Sequence, residues 1–356
     1  MTNMGFVRVA SVSPKIKVAN TQYNVDQILR YIGQAADEKI KAGFVLFPEL
    51  CVTGYTCADL FYQPHLYEEN LKGLERIVKA SKGLSLVIIV GFYYKVYGNL
   101  YNCAALIQNG RIRGIVPKMF IPDYKEFYEA RWFAPGSQIV KDLKSVRIFE
   151  EEVPFGNLIF RDEKAGFGVG IEICEDLWMP VTPGTHLALN GADIIFNASA
   201  SNETVGKSQY RKSLVLSESA KNNCGYVYAS AGVNESTTDL VFSGHTMIAE
   251  NGTMVAEGDR FQREGNMLTG DLDFQRIHFE RSHGQTFSNS AAAYADRNAY
   301  VTVELEPVQL VEPGMQIRRT YEKNPFVPSD PAVVHESCRE IFYIQTAGLA
   351  KRMEHS

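Results

Sequence analysis

Long apolar runs, excess positive charge, paired cysteines and clustered histidines are all scarce in this chain, and each scarcity removes a class of function. The longest strongly apolar stretch, near Leu84 to Val90, is far shorter than the roughly 20 residues a membrane-spanning helix needs. Lys and Arg number 36 against 41 Asp and Glu, a formal charge of -5, so there is no cationic footprint for nucleic acid or an anionic membrane. The amino terminus, Met1-Thr2-Asn3-Met4-Gly5-Phe6-Val7-Arg8, has no basic stretch leading into an apolar signal core and runs directly into a strand pattern, so a cytoplasmic protein is expected. The 6 cysteines show neither C-x-x-C spacing nor disulfide-scaffold density, and the 7 histidines do not cluster. A structural zinc site, or any metal ligand set, is therefore not expected.

What is present is an ordinary globular composition, 45% hydrophobic and 22% charged, on a length that can bury a large core. Strand and helix patterns alternate. Val7 to Val12 reads as a strand, and Val25, Ile28, Leu29, Ile32, Ala36 and Ile40 recur at helical spacing. Phe44 to Phe47 is the next strand, and Leu71, Leu74, Ile77 and Val78 line a second helix. Strands at Leu86 to Tyr94, Asn102 to Gln108 and Arg111 to Val116 follow in close succession, the last two joined by an Asn109-Gly110 hairpin signal, so the sheet is mixed. Further strands are expected at Phe167 to Ile173, Asp193 to Asn197, Tyr226 to Ala231, Val241 to Ile248 and Met267 to Leu272, with helices over Thr182 to Asn190 and Lys207 to Asn222. Many strands with helices enough for two outer layers predict a layered α/β sandwich filling residues 1–280.

After that the composition changes. Residues 281–334 are polar, then Pro-rich at Asn324-Pro325-Phe326-Val327-Pro328-Ser329-Asp330-Pro331, and read as a linker or wrapping arm. Glu336 to Met353 reads as a lone helix with little to pack against, so residues 335–356 are expected to begin a further domain or to meet a partner.

Three chemically complementary residues end strand patterns. Cys174 closes Gly168-Val169-Gly170-Ile171-Glu172-Ile173 and runs into Glu175-Asp176-Leu177-Trp178. Taken alone a free cysteine is most often inert packing; at a strand end, beside a base and an oxyanion donor, it is a nucleophile. The residues after it could begin a helix whose N-terminal dipole favours a thiolate, an effect Glu175 and Asp176 oppose. Glu49, in Leu46-Phe47-Pro48-Glu49-Leu50, is an acid in apolar surroundings, which raises a carboxyl pKa toward general-base behaviour. Lys118, after Val116-Pro117, reads as a surface lysine or as a buried ammonium able to hold a tetrahedral oxyanion.

Other motifs are weaker. Gly166-Phe167-Gly168-Val169-Gly170 resembles a dinucleotide fingerprint but leads into a strand. Ser201-Asn202-Glu203-Thr204-Val205-Gly206-Lys207-Ser208 stands where a phosphate loop would, with Ser201 in place of its first glycine. No G-x-S-x-G elbow occurs, so a serine hydrolase of the usual α/β type has no nucleophile motif.

Phe47-Pro48-Glu49-Leu50 with Gly54-Tyr55, Lys118 with Pro122-Asp123-Tyr124 and Phe127-Tyr128-Glu129-Ala130-Arg131, and Ile173-Cys174-Glu175-Asp176-Leu177-Trp178 together resemble the nitrilase superfamily of carbon-nitrogen hydrolases. Within it they are most similar to the glutaminase domains of glutamine-dependent NAD+ synthetases, over essentially the whole chain. The resemblance implies a four-layer αββα sandwich. Glu49 would be the general base, Lys118 the oxyanion stabiliser, Cys174 the nucleophile, and Glu129 a further carboxylate orienting the lysine. Tyr55, Tyr124, Glu175 and Ser201 would hold L-glutamine. No cofactor is implied for the glutaminase reaction. ATP and Mg are implied only for a synthetase domain, the acceptor of the ammonia, whose Ser-Gly-Gly-x-Asp-Ser motif does not occur in these residues. The remaining expected partner is a second copy of the chain, in a homo-oligomer. A stand-alone amidase acting on another amide and a non-catalytic interaction module are the alternatives.

Overall fold

The computed structural model of the chain describes residues 4–321 and 331–355. Strand β1 (Phe6–Pro14) leads into α1 (Thr21–Ala36), whose start is set by the Asn20 side chain accepting from the Tyr23 N–H. Val25, Ile28 and Ile32 are buried on one face of α1. The helix stops short of the expected Ile40 because Asp37 turns its carboxylate onto the Lys39 N–H instead of continuing the ladder. Next come β2 (Phe44–Leu46), α2 (Pro64–Ala80) and the meander β3 (Val87–Val96), β4 (Asn99–Gln108), β5 (Arg111–Pro117). Asn109 and Gly110 are both left-handed, as their hairpin turn requires.

A short helix α3 (Gly136–Ile139) and the hairpin β6 (Ser145–Ile148), β7 (Glu151–Pro154) precede the second half. It runs β8 (Leu158–Asp162), β9 (Phe167–Ile173), α4 (Pro183–Leu189), β10 (Ile194–Ser199), α5 (Lys207–Lys221), β11 (Gly225–Ser230), β12 (Thr246–Glu250), β13 (Thr253–Glu257) and β14 (Gly265–Asp273), then α6 (Phe274–His283), α7 (Gln285–Tyr294) and β15 (Val301–Glu304). The strand expected from Val241 begins only at Thr246, because Gly244 is left-handed and breaks the extended run.

The strands form two large mixed sheets, ordered β14-β1-β2-β3-β4-β5 and β13-β12-β11-β10-β9-β8-β15. Period-two alternation decides how they stack. Val7, Val9, Leu46, Val87 and Ile89 of the first sheet share one core with Val169, Ile171, Ile194 and Phe196 of the second. Their neighbours one step along, Ala10, Val45, Ile88 and Val90, face Val25, Ile28, Leu74 and Ile77 of α1 and α2. On the far side Ile195, Tyr226 and Tyr228 pack with Leu187 of α4 and Val215 of α5. The result is the αββα sandwich. Each buried aliphatic side chain contributes about 1.5–3 kcal/mol, so a one-residue slip of any inner strand is strongly disfavoured.

The compact unit continues to Arg318, beyond the boundary near 280 implied by the composition change. Residues past 280 are held by backbone pairing: β15 adds to β8 in parallel, and Val311 N–H donates to the Phe6 carbonyl. Polar side chains hide the attachment in the sequence. Buried Arg8 forks onto Asp271 and also donates to the Gln316 carbonyl, while the Arg318 N–H donates to Asp271 Oδ2. A second unit starts at Arg319 and contains α8 (Pro331–His355), which covers the expected Glu336 to Met353 helix. The Pro-rich Pro325-Phe326-Val327-Pro328 segment lies outside the described residues. Among the described residues no helix is long and apolar enough to cross a membrane.

Candidate active site

Glu49 stands three residues beyond β2, Lys118 immediately after β5 and Cys174 immediately after β9. All three are buried, at 1%, 1% and 5% exposure. Lys118 Nζ bridges two carboxylates, donating to Glu49 Oε1 at 2.6 Å and Glu129 Oε2 at 2.7 Å. Asn102 of β4 ties the same pair together, its Nδ2 donating to Glu49 Oε1 at 2.6 Å and Glu129 Oε1 at 2.9 Å. Tyr55 OH adds a bond to Glu129 Oε2 at 3.0 Å. The Cys174 thiol and the Glu49 and Lys118 charges act directly on one another. The three strand ends meet in one cluster.

Burial sets the protonation chemistry. It pushes the Glu49 carboxyl up to about 7; the neighbouring Glu129 charge adds to that and Lys118 opposes it. Burial disfavours the Lys118 ammonium, yet Glu129 and Glu49 outweigh it and hold Lys118 well above the ordinary lysine range. Cys174 is pushed up by burial first and by the Glu49 charge second. The resting thiol is therefore neutral and needs a base. No helix dipole relieves this, because Cys174–Trp178 is a single 3-10 turn carrying Glu175 and Asp176. Glu49 Oε1 takes both Lys118 and Asn102, whereas Oε2 has no hydrogen-bond partner among the described residues. Oε2 is the oxygen left to take a proton.

The backbone holds this arrangement under local strain. Cys174 sits at φ 47°, in the left-handed region, at a cost of about 1–3 kcal/mol. Asp176 holds the turn: its carboxylate accepts from Ile173 N–H at 2.9 Å and from Phe120 N–H at 3.0 Å, tying the Cys174 corner to the segment after Lys118. Gly91 of β3 lies under the Glu49 turn, where a Cβ would stand 2.3 Å from the Pro48 carbonyl oxygen and 2.4 Å from the Leu50 nitrogen. Gly91→Ala is expected to cost about 2 kcal/mol by overpacking and to displace Glu49. Thermal unfolding and turnover would both report it, and an unchanged melting temperature would contradict this packing.

Residues 8–281 match the family described as carbon-nitrogen hydrolase. The chain belongs to that family. A glutamine-dependent NAD(+) synthetase from Mycobacterium leprae is 34% identical over 356 residues, 99% of this chain and 51% of that protein, and the Homo sapiens protein of the same name is 30% identical over 296 residues, 80% and 40%. The chain thus spans about half the length of these curated relatives. The crystal structure of a glutamine-dependent NAD(+) synthetase from Cytophaga hutchinsonii superimposes with a TM-score of 0.67 at 27% identity, covering 75% of this chain and 43% of that one. A Nesterenkonia amidase from the nitrilase superfamily, 17% identical with a TM-score of 0.61, shares the fold over 78% of this chain and 95% of its own.

Around the cluster, this carbon-nitrogen hydrolase gathers the other residues singled out in the sequence. Tyr124 OH donates to Glu175 Oε1 at 3.0 Å, one residue after the thiol. Ser201 is buried and follows Ala200, whose backbone offsets part of the upward shift of the Cys174 thiol. Tyr55 is bound to Glu129, and its backbone N–H donates to buried Glu235 at 2.7 Å. Sequence reading missed Asn102, Asp176 and Lys207. Asn102 gave no signal inside a strand, since its two partners come from distant segments. Lys207 did give one, in the loop resembling a phosphate site. Gly206 there is the left-handed cap of α5, and Lys207 Nζ bonds Asn202 Oδ1 and lies 5.2 Å over the Phe127 ring and 5.3 Å over the Trp178 ring. Two glycines of the apparent dinucleotide fingerprint serve strand packing, a Cβ on Gly168 standing 2.6 Å from the Gly191 carbonyl oxygen and one on Gly170 2.9 Å from Leu187 Cδ1, while Gly166 is left-handed in the turn before β9.

Proposed function

We propose that this chain hydrolyses the side-chain amide of L-glutamine through a thioester on Cys174 and that the ammonia serves NAD+ synthesis by an ATP-dependent synthetase domain. The observation that carries the chemistry is the buried ammonium of Lys118 held between two carboxylates beside a neutral thiol. Glu49 Oε2 takes the thiol proton as sulfur attacks the carboxamide carbon, and Lys118 with a backbone N–H holds the oxyanion. The C–N bond then breaks, with the Glu49 proton going to the leaving ammonia. Water, deprotonated by Glu49, attacks the thioester and releases glutamate and the free thiol. Both half-reactions need a carboxyl that can exist in either state near neutrality, and a pKa of about 7 supplies it.

Specificity for an amino acid fits the charges at the rim. Lys207 offers a cation to the substrate carboxylate, while Glu175, held by Tyr124, offers an anion to its ammonium. The curated relatives named for glutamine-dependent NAD+ synthesis support the same substrate. Amide hydrolysis by these residues uses no cofactor; ATP and Mg would serve the synthetase domain, and a homo-oligomer would bring such domains together. A cluster of three buried charges is costly to keep in a purely structural module.

Glutamate and ammonia should appear in equal amounts from glutamine, with kcat/KM at least about 100-fold above that for short aliphatic amides. Comparable turnover of those amides would replace this reading with a broad amidase. On the acid side kcat/KM should fall as Glu49 becomes protonated, with an apparent pKa near 7.

A further inference from the structure

Arg211 lies on α5 one turn after Lys207 and is completely buried. Both N–H bonds of each terminal nitrogen are engaged. Nη2 donates to Ser201 Oγ at 3.3 Å and to the Asn202 carbonyl at 3.1 Å, and Nη1 donates to Glu203 Oε1 at 2.8 Å and meets His245 Nδ1 at 3.1 Å. One guanidinium therefore grips three consecutive residues of the loop between β10 and α5. That loop begins beside the thiol, and its Asn202 bonds both Lys207 and Glu126.

The proton on His245 can be assigned from its neighbours. Arginine has no acceptor and stays charged, so Nδ1 must present a lone pair to it. The ring is then neutral with its proton on Nε2, which donates to Glu257 Oε1 at 3.0 Å, while Lys212 Nζ holds the other Glu257 oxygen at 2.6 Å.

We propose that Arg211 is a positioning residue for the amino-acid end of the substrate, and that neutral His245 is the acceptor that keeps it aimed at Ser201 and Asn202. The inference rests on the glutamine reading above. Protonating His245 would set an Nδ1–H against an Nη1–H, two donors with no acceptor between them. The charged groups around the ring are Arg211 from α5, Glu257 from β13 with Lys212 behind it, and Glu203 from the loop. Burial first, and Arg211 as well, work against the imidazolium; Glu257 and Glu203 favour it, and the balance lies below the ordinary histidine range. The grip is intact at neutral pH and loosens in acid.

The test measures KM for glutamine and kcat from pH 5 to 8 in the 356-residue chain and its His245→Leu and His245→Gln variants. Leucine removes the acceptor, so KM should rise about tenfold with kcat within about twofold, because Glu49, Lys118 and Cys174 stand on other elements. Glutamine can accept from Arg211 and donate to Glu257 without titrating. His245→Gln should therefore restore the neutral-pH KM, and the ratio of wild-type to His245→Gln KM should climb as pH falls, with the Glu49 titration common to both cancelling. Should His245→Leu not fold, that ratio decides alone. An unmoved KM in a folded leucine variant, or a flat ratio, overturns the positioning role while leaving glutamine hydrolysis standing. If the wild-type chain releases no glutamate from glutamine, the reading of the site falls first and this inference with it.

Discussion

Cys174→Ala should abolish glutamine hydrolysis, a loss on the scale of about a million-fold for removal of a covalent nucleophile. Nothing else at the site can replace it. Glu49 Oε2 is placed to move a proton, and the other buried cysteines, Cys51, Cys57, Cys103 and Cys224, lie within the core. The fold should survive, since the change removes one small buried sulfur from a corner whose geometry Asp176 maintains through backbone bonds. Circular dichroism and a melting curve would establish that. Intact mass after exposure to a glutamine-like electrophile gives a second readout: an adduct on the wild-type chain and none on the variant. Near-normal turnover by a folded Cys174→Ala protein would refute the thioester route.

Lys118→Met should damage both catalysis and folding. The oxyanion loses its cation, worth about 10²–10³ in kcat. The fold loses the only ammonium bonded to Glu49 and Glu129 among the described residues, and breaking a buried ion pair by deleting one partner costs about 3–5 kcal/mol. The cost should depend on pH in a definite direction. Burial already raises Glu49 above its unfolded value, and removing Lys118 raises it further. A carboxyl raised in the folded state binds a proton that the unfolded chain releases. Its contribution is fully present below the ordinary carboxyl pKa and is lost as pH climbs through the folded one. Chemical denaturation should therefore show a large deficit for Lys118→Met at pH 8 and a much smaller one at pH 5. Equal deficits at the two pH values would mean that the ion pair is not what the lysine contributes.

Much of the site is visible in the chain because local rules write it there. Apolar runs give way at Pro48-Glu49, Pro117-Lys118 and Cys174-Glu175-Asp176, so Glu49, Lys118 and Cys174 stand out as chemistry at the ends of strands. The succession of strand and helix patterns is equally local, and it carried the layered fold; that Val87 and Ile89 face one core and Ile88 and Val90 the other came with the tertiary structure. Asn102 and Asp176 follow no such rule. Asn102 acquires meaning only from partners 53 and 27 positions away, and Asp176, besides its local bond to the Ile173 N–H, from Phe120, 56 positions away. The stretch after residue 280 reads from its polar composition as a linker or wrapping arm, and how it is held lies in backbone pairing and in bonds from Arg8 to the Gln316 carbonyl and from the Arg318 N–H to Asp271, none of which leaves an apolar signature.

The sequence by itself determined the alternating layers and the three reactive groups at their strand ends, because periodicity and chain termination of a strand depend on neighbours a few residues away. Only the stacking of the two sheets decided that these groups share one dry cluster. Burial depends on what lies above and below in space, and burial is what raises the Glu49 carboxyl to about 7, keeps the Cys174 thiol protonated at rest and makes Lys118 indispensable between its carboxylates.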